Sequence, residues 1–246
     1  MNKDERIRRE KDYHNLRYSG NTRSHQDKYY EAISDGSNIF REKVLEASKH
    51  RFVLEYGCGE DSYSSTLSKY ADKIVSIDIS NIAIDKLKEI AALNNICNVD
   101  YQVMNCENLD FTDEKFDLIY GSGIIHHLDI KSAYKEIARC LKNGGKTIFW
   151  EPLGHNVFIN LYRLLTPSAR TKDEHPLIIS DLKLLHKYFK NVQTTTFGLF
   201  TLLSVPFRGY KYYDKLFSIL RSVDKLVLNF PFVKYQAWFV LIEAEK

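Results

Sequence analysis

The segment between residues 51 and 150 alternates two kinds of sequence pattern. Short runs rich in β-branched and aromatic residues are separated by longer segments in which apolar residues recur every three or four positions, the spacing of one helix face. Strands that alternate with helices in this way are typical of βαβ units, which build a parallel sheet covered by helices. The pattern therefore predicts a doubly wound α/β fold with strands at 52–56, 74–78, 99–104, 116–120 and 146–150.

Residues that favour helix ends predict several boundaries. Asn143-Gly144-Gly145 should end the helix after the fourth strand, because glycine readily adopts the left-handed conformation of a helix C-cap. Ser180 and Asp181 should supply an N-cap and a first-turn acid for a later helix. Further helices are predicted near 37–48 and 216–227, and further strands near 192–198 and 236–243.

The domain organisation follows from chain length and composition. A chain of 246 residues with 44% hydrophobic content can bury one core without disulfides or metal. No repeat, low-complexity tract or flexible linker interrupts it. We therefore predict a single domain over 1–246, with a helical lid at 1–50, a ligand-binding core at 51–150, and a substrate-side insert, cap helix and closing strands at 151–246.

Charge and cysteine usage limit the partners and the compartment. Lys and Arg number 35 against 32 Asp and Glu, and the resulting net charge of +3 is too small for a nucleic-acid surface. The four cysteines show no Cys-x-x-Cys spacing and lie in predicted core elements, which indicates a reducing compartment. No apolar leader and no run of 18 apolar residues occurs, so the sequence predicts a cytoplasmic protein.

The run Glu55-Tyr56-Gly57-Cys58-Gly59 directly follows the first predicted strand. A doubly wound sheet binds its ligand at the carboxyl ends of the strands, and glycines let a ligand approach the backbone closely. A dinucleotide fingerprint requires a third glycine three positions after Gly59, where this chain has Ser62. Glu60 and Asp61 would also repel a pyrophosphate at the helix N-terminus.

S-adenosylmethionine (SAM) fits this loop better on electrostatic grounds. SAM has no phosphate, and acidic neighbours favour its ammonium and sulfonium groups. The loop therefore predicts SAM rather than NAD as the cofactor.

The next strand ends extend the predicted cofactor site. Asp78 ends the second strand, where a carboxylate can accept hydrogen bonds from both ribose hydroxyls, and Ile79 beside it can pack on the adenine. The segment 105–107 should supply an amide and backbone donors near the adenine edge, and Gly121 should leave room under the methionine portion. The predicted cofactor-binding residues are Glu55, Gly57, Cys58, Gly59, Asp78, Ile79, Asn105, Cys106, Glu107 and Gly121.

These motifs together resemble the class I SAM-dependent methyltransferases, especially the branch containing ubiquinone/menaquinone-biosynthesis and natural-product methyltransferases. The run Ile124-Ile125-His126-His127-Leu128 also matches that branch. The resemblance implies a Rossmann-like, mainly parallel seven-stranded sheet with an antiparallel last strand, and methyl transfer from SAM to a small organic acceptor. Two positions depart from the pattern: Asp61 stands where many members have a third glycine, and Asn105 stands where many have aspartate.

Methyl transfer requires alignment of the reactants and removal of a proton from the acceptor. His127 is the first candidate base, because an imidazole titrates near neutral pH. Glu151 ends the fifth strand and, with His155 and His175 of the following insert, is predicted to contact the acceptor. For His127 the alternative is a structural role in which the backbone satisfies the ring.

The acceptor side of the pocket is predicted to be apolar. Its wall should come from Phe197, Phe200, Leu202 and Leu203. No metal-ligand spacing such as His-x-x-x-His occurs, so the sequence predicts no metal site.

Two other functions stay open at this point. One is a nucleotide-cofactor oxidoreductase, since the same fold hosts many activities. The other is a non-catalytic protein that binds a partner through its hydrophobic segments at 197–206 and 216–232. These segments could equally form core, roof an apolar acceptor pocket or touch a membrane surface.

Overall fold

The computed structural model describes residues 3–20, 27–166 and 173–246, and within these ranges seven strands form one sheet. Their spatial order is β3-β2-β1-β4-β5-β7-β6. β7 runs antiparallel to β5 and β6, whereas β1 to β5 pair in parallel, so the predicted fold class is confirmed. The strands are β1 Phe52–Tyr56, β2 Lys73–Asp78, β3 Val99–Val103, β4 Phe116–Ser122, β5 Leu141–Pro152, β6 Lys190–Phe197 and β7 Phe239–Glu245.

Helices precede the sheet, connect its strands and extend beyond β5. The helices predicted near 37–48 and 216–227 are present as α3 and α9. No helix in the described ranges is long and apolar enough to cross a membrane. The helices are α1 Lys3–Ser19, α2 Asp27–Tyr30, α3 Ser34–Ser48, α4 Ser64–Leu67, α5 Asn81–Leu93, α6 Ile130–Cys140, α7 Val157–Leu165, α8 Ile179–Leu185 and α9 Tyr213–Val227.

Two predicted helix boundaries are wrong. α6 ends at Cys140 rather than at the following glycines, because Leu141 is fully buried and already pairs with Phe116 of β4. Ser180 lies inside the first turn of α8, and the N-cap is Ile178. Asp181 does act as the first-turn acid, since its carboxylate accepts a hydrogen bond from the Ile178 amide at 2.9 Å.

Alternate residues of the central strands supply cores on opposite faces of the sheet. Val53 and Leu118 belong to the cluster that packs against α3, whereas Leu54 and Ile119 belong to the cluster that packs against α6. All four are fully buried. This period-two alternation is what a sheet covered on both faces requires, and it fixes the strand register. Because β1, β2, β4 and β5 pair in parallel, their carboxyl ends meet at one edge of the sheet.

Candidate active site

A cavity of about 1030 Å³ lies at this carboxyl edge of the sheet, and α1 forms its opposite wall. Its volume is at the upper end of the roughly 300–1000 Å³ usual for pockets that hold one ligand, so it has room for a cofactor beside a small second molecule. The residues predicted to bind the cofactor are brought together here. Those that line the cavity are Glu55, Gly57, Cys58, Gly59, Asp78, Ile79, Asn105, Cys106, Glu107 and Gly121.

Glu55 organises the loop that follows β1. Its buried carboxylate accepts hydrogen bonds from the Tyr63 amide and the Ser76 hydroxyl, each at 2.8 Å, and from the Ser62 hydroxyl. Burial raises the pKa of Glu55, and the hydrogen bonds from Ser62 and Ser76 oppose that rise. Glu55 therefore stabilises the conformation of this loop. Ser62, which stands where a dinucleotide fingerprint has its third glycine, contributes a hydroxyl to this network.

Asp78 connects the first loop to the end of β2. One carboxylate oxygen accepts from the Gly59 amide and the other from the Ser80 amide, each at 2.8 Å. Gly59 has a φ of +55°, a conformation that glycine adopts without strain. Each carboxylate oxygen has a second lone pair, so Asp78 can still accept hydrogen bonds from a ligand in the cavity.

The loop after β3 is held by its own side chains. The Asn105 side-chain oxygen accepts from the Glu107 amide at 2.9 Å, which closes a local turn. The Glu107 carboxylate accepts from the Asp129 amide at 2.9 Å and pairs with Arg6 of α1. Glu107 is thus used to bind the N-terminal helix, a role that the sequence pattern did not indicate.

Gly121 marks the closest approach of β4 to β1. A Cβ at this position would lie 2.6 Å from the Tyr56 carbonyl oxygen and 2.8 Å from the Phe149 ring. We expect Gly121→Ala to lower the free energy of unfolding by about 1–3 kcal/mol through overpacking, and Tm by roughly 3–10 °C. Calorimetric melting would measure this. The exposed neighbour Ser122 provides a matched control, and an equal loss of Tm in Ser122→Ala would contradict this explanation.

α1 covers the cofactor side of the cavity through long-range contacts. Arg6 donates to the His127 carbonyl at 3.0 Å, and Asn15 accepts from the Ser80 hydroxyl at 2.6 Å. A Cβ on Gly59 would lie 2.9 Å from the Tyr18 hydroxyl, so this helix also lies directly over the loop after β1. That residues 1–50 act as a lid stays a prediction, and we call α1 the lid helix.

A histidine that the sequence reasoning passed over is oriented by a buried carboxylate. His126 lines the cavity, and its Nδ1 lies 2.8 Å from Glu151 Oε2. The other oxygen of Glu151 accepts from the Ile124 and Ile125 amides, each at 2.9 Å, and Glu151 is fully buried. Because a carboxylate only accepts, we assign the proton to Nδ1 and the accepting role to Nε2.

His127, the first candidate base, also lines the cavity but faces the lid helix. Its Nδ1 lies 3.3 Å from Glu10 Oε2, and its ring lies 5.2 Å from that of His14, centroid to centroid. Burial and the neighbouring His126 lower the pKa of His127, and Glu10 partly offsets this. The ring is thereby biased toward its neutral form. The reason for choosing His127, an imidazole after the fourth strand, applies equally to His126.

Among the described residues that line the cavity, Glu151, His155 and His175 are not found. Glu151 acts through His126. His155 Nε2 accepts from the Ile179 amide at 3.1 Å, and His175 Nε2 lies 3.2 Å from Asp181, so both side chains face the start of α8. His175 nevertheless supports the site, because its backbone amide donates to the His126 carbonyl at 2.6 Å. Direct contact of these side chains with an acceptor stays a prediction without geometric support.

The far end of the cavity is apolar and rich in aromatic rings. Phe200, Leu202 and Leu203 belong to this wall as predicted, whereas Phe197 packs against Trp150 with ring centroids 5.4 Å apart. Aromatic residues outside the predicted segment complete the wall. They are Tyr29, Tyr30, Phe158, Tyr162, Trp238 and Phe239.

Comparison with known proteins identifies the part of the chain that carries the predicted cofactor-binding residues. Residues 54–149 match the family model described as a methyltransferase domain. We call this block, residues 54–149, the methyltransferase domain. The methyltransferase domain contains β2 to β4 and most of β1 and β5, and it includes every predicted cofactor-binding residue.

Two curated relatives match about half of this chain. A ubiquinone biosynthesis O-methyltransferase from Coxiella burnetii is 30% identical over 132 residues, which are 52% of this chain and 56% of that protein. The uncharacterized methyltransferase YcgJ from Bacillus subtilis is 26% identical over 130 residues, 52% of this chain and 51% of that protein. The chain thus spans about half the length of these relatives.

Among solved structures, phosphoethanolamine N-methyltransferase 2 from Haemonchus contortus, in complex with S-adenosyl-L-methionine, superposes with a TM-score of 0.62. The match covers 89% of this chain and 56% of that one at 15% sequence identity. This similarity extends well beyond the methyltransferase domain, and at this identity it shows a shared fold.

Proposed function

We propose that the protein transfers the methyl group of SAM to a hydroxyl or amine of a small, largely apolar acceptor. One observation carries this proposal. The cavity of the methyltransferase domain places the predicted cofactor residues, the oriented His126 and an aromatic wall around one space. That arrangement supports a cofactor site, a base and an acceptor site within one cavity.

SAM would bind along the carboxyl ends of β1, β2 and β3. Asp78 is placed to accept hydrogen bonds from the ribose hydroxyls, and the loop after β3 lies at the adenine end. Glu60 and Asp61 both line the cavity beside Gly59. Their negative charge favours the cationic groups of SAM and opposes the pyrophosphate of NAD, which supports SAM over the oxidoreductase alternative.

The chemical step needs few protein groups. The acceptor's lone pair attacks the methyl carbon as the carbon–sulfur bond breaks, and the sulfonium leaves as the neutral thioether S-adenosylhomocysteine. The acceptor's proton passes to His126 Nε2, for which Glu151 is a positioning residue. Glu151 also stabilises the imidazolium that forms, because its carboxylate already binds the ring at Nδ1.

The wall of the cavity indicates the class of acceptor. Tyr29 and Tyr162 contact each other with ring centroids 5.3 Å apart, and both line the cavity together with Trp238. Such a surface favours a ring or a hydrocarbon tail over a highly charged molecule. A hydroxylated aromatic or quinol-type acceptor matches this wall. One curated relative is named an O-methyltransferase of ubiquinone biosynthesis, which is consistent with such an acceptor.

Transfer of radiolabelled methyl from SAM to a panel of acceptors tests this proposal. The panel contains alkylated phenols and quinols, phosphoethanolamine and sugars. We expect label in an apolar hydroxylated or amino acceptor, and its rate should drop strongly in His126→Gln. Label in phosphoethanolamine or a sugar alone would overturn the acceptor class, and full activity of His126→Gln would overturn the assigned base.

A further inference from the structure

A second set of side chains lies between the lid helix and the Ile125–His127 turn, and the proposed transfer reaction does not use it. It consists of Glu10, His14 and His127, all of which line the cavity. Glu10 and His14 stand four positions apart on α1 and so share one helix face. His127 is 91% buried and meets them from the sheet side.

The Glu10 carboxylate lies close to both histidine rings. Glu10 Oε2 lies 3.3 Å from His127 Nδ1 and 3.5 Å from His14 Nε2. The three residues offer ligand atoms that all lie within 4.8 Å of one another. Two ligand atoms at about 2.0–2.1 Å from a tetrahedral ion are about 3.4 Å apart, whereas N–H···O hydrogen bonds cluster near 2.9–3.0 Å.

We propose that Glu10, His14 and His127 form a site for one divalent transition-metal ion of the zinc class. Two imidazole nitrogens and one carboxylate suit Zn²⁺, Co²⁺ or Fe²⁺, whereas Mg²⁺ and Ca²⁺ prefer oxygen ligands. A neighbouring group of His126, His127 and Glu174 also meets the distance criterion. It is the weaker candidate, because the proposed reaction uses His126 as its base.

The position of this site gives the ion a function. Three protein ligands leave a coordination position open, as in catalytic zinc sites, and the ligands line the cavity. This role rests on the proposed function: an ion here would bind an oxygen atom of the acceptor and assist the loss of its proton to His126. It would also join the lid helix to the sheet. The feature of the sequence that indicates this site is the Glu10-x-x-x-His14 spacing, which a search for His-x-x-x-His does not detect.

Titration of tag-free, chelator-treated, full-length protein with CoCl₂ tests the site without SAM or acceptor, so it is independent of the transfer reaction. We expect saturable visible absorption of Co²⁺ at one ion per chain, with a dissociation constant of about 10 μM or below. Glu10→Gln and His14→Gln should each weaken binding by about tenfold or more. His50→Gln is the matched control, because the His50 side chain is 90% exposed and far from the cavity.

His14→Cys distinguishes a lost ligand from a damaged helix. Cysteine supplies a thiolate, so this variant should retain Co²⁺ binding and add sulfur-to-cobalt absorption in the near ultraviolet. Absence of saturable Co²⁺ absorption in the unsubstituted protein would overturn the proposal. Unchanged affinity in folded Glu10→Gln and His14→Gln would overturn it equally, because the ion would then bind elsewhere.

Discussion

Glu151→Gln should lower the turnover of methyl transfer by about 10²- to 10³-fold while leaving SAM affinity nearly unchanged. The glutamine oxygen can still accept from the Ile124 and Ile125 amides, so the local backbone should persist. The amide nitrogen, however, donates toward His126 Nδ1 and forces the proton onto Nε2. The ring then presents a donor to the acceptor's hydroxyl and cannot remove its proton.

Single-turnover transfer of labelled methyl, with calorimetric SAM binding alongside, separates these effects. Glu89→Gln is a matched control, because Glu89 is an exposed glutamate on α5. Turnover of Glu151→Gln within about twofold of the unsubstituted protein would show that His126 needs no oriented tautomer, and the assigned mechanism would be wrong.

Asp78→Ala should weaken SAM binding by roughly 10- to 100-fold. The substitution removes an acceptor for the ribose, and charge-assisted hydrogen bonds contribute about 1.5–3 kcal/mol each. It also leaves the Gly59 and Ser80 amides without the carboxylate that now accepts from both. The loop after β1 should therefore loosen as well, which adds to the loss of affinity.

Isothermal calorimetry with SAM measures this effect, and a melting curve confirms that the variant is folded. Asp85→Ala serves as the control, because Asp85 is an exposed carboxylate on the helix that follows Asp78. Equal dissociation constants for Asp78→Ala and the unsubstituted protein would place the ribose away from β2.

The sheet and the cofactor side of the cavity could be predicted because they depend on local patterns. The central strands are short and rich in buried apolar residues, and parallel strands bring their carboxyl ends to one edge whatever the details of packing. Glu55, Asp78 and Gly121 could therefore be placed together from sequence alone. The boundary between α6 and β5 could not, because Leu141 joins the sheet through pairing with a distant strand.

The lid helix and the acceptor side depend on contacts between residues far apart in the sequence. Arg6 meets Glu107 across 101 positions, and the spacing of either segment gives no sign of this pairing. The choice between His126 and His127 likewise depends on which ring Glu151 reaches. His155 follows β5 closely in the sequence, but its ring accepts a hydrogen bond from the Ile179 amide and does not line the cavity. Residue type and proximity along the chain do not determine side-chain direction.

Calorimetric titration with S-adenosylhomocysteine, the stable product of the proposed reaction, tests the central claim most directly. The same protein is titrated with SAM and with NAD⁺ under identical conditions. We predict saturable binding of S-adenosylhomocysteine and SAM at one molecule per chain, weakened in Asp78→Ala, and no heat with NAD⁺. Saturable NAD⁺ binding without any heat from SAM or S-adenosylhomocysteine would contradict the account.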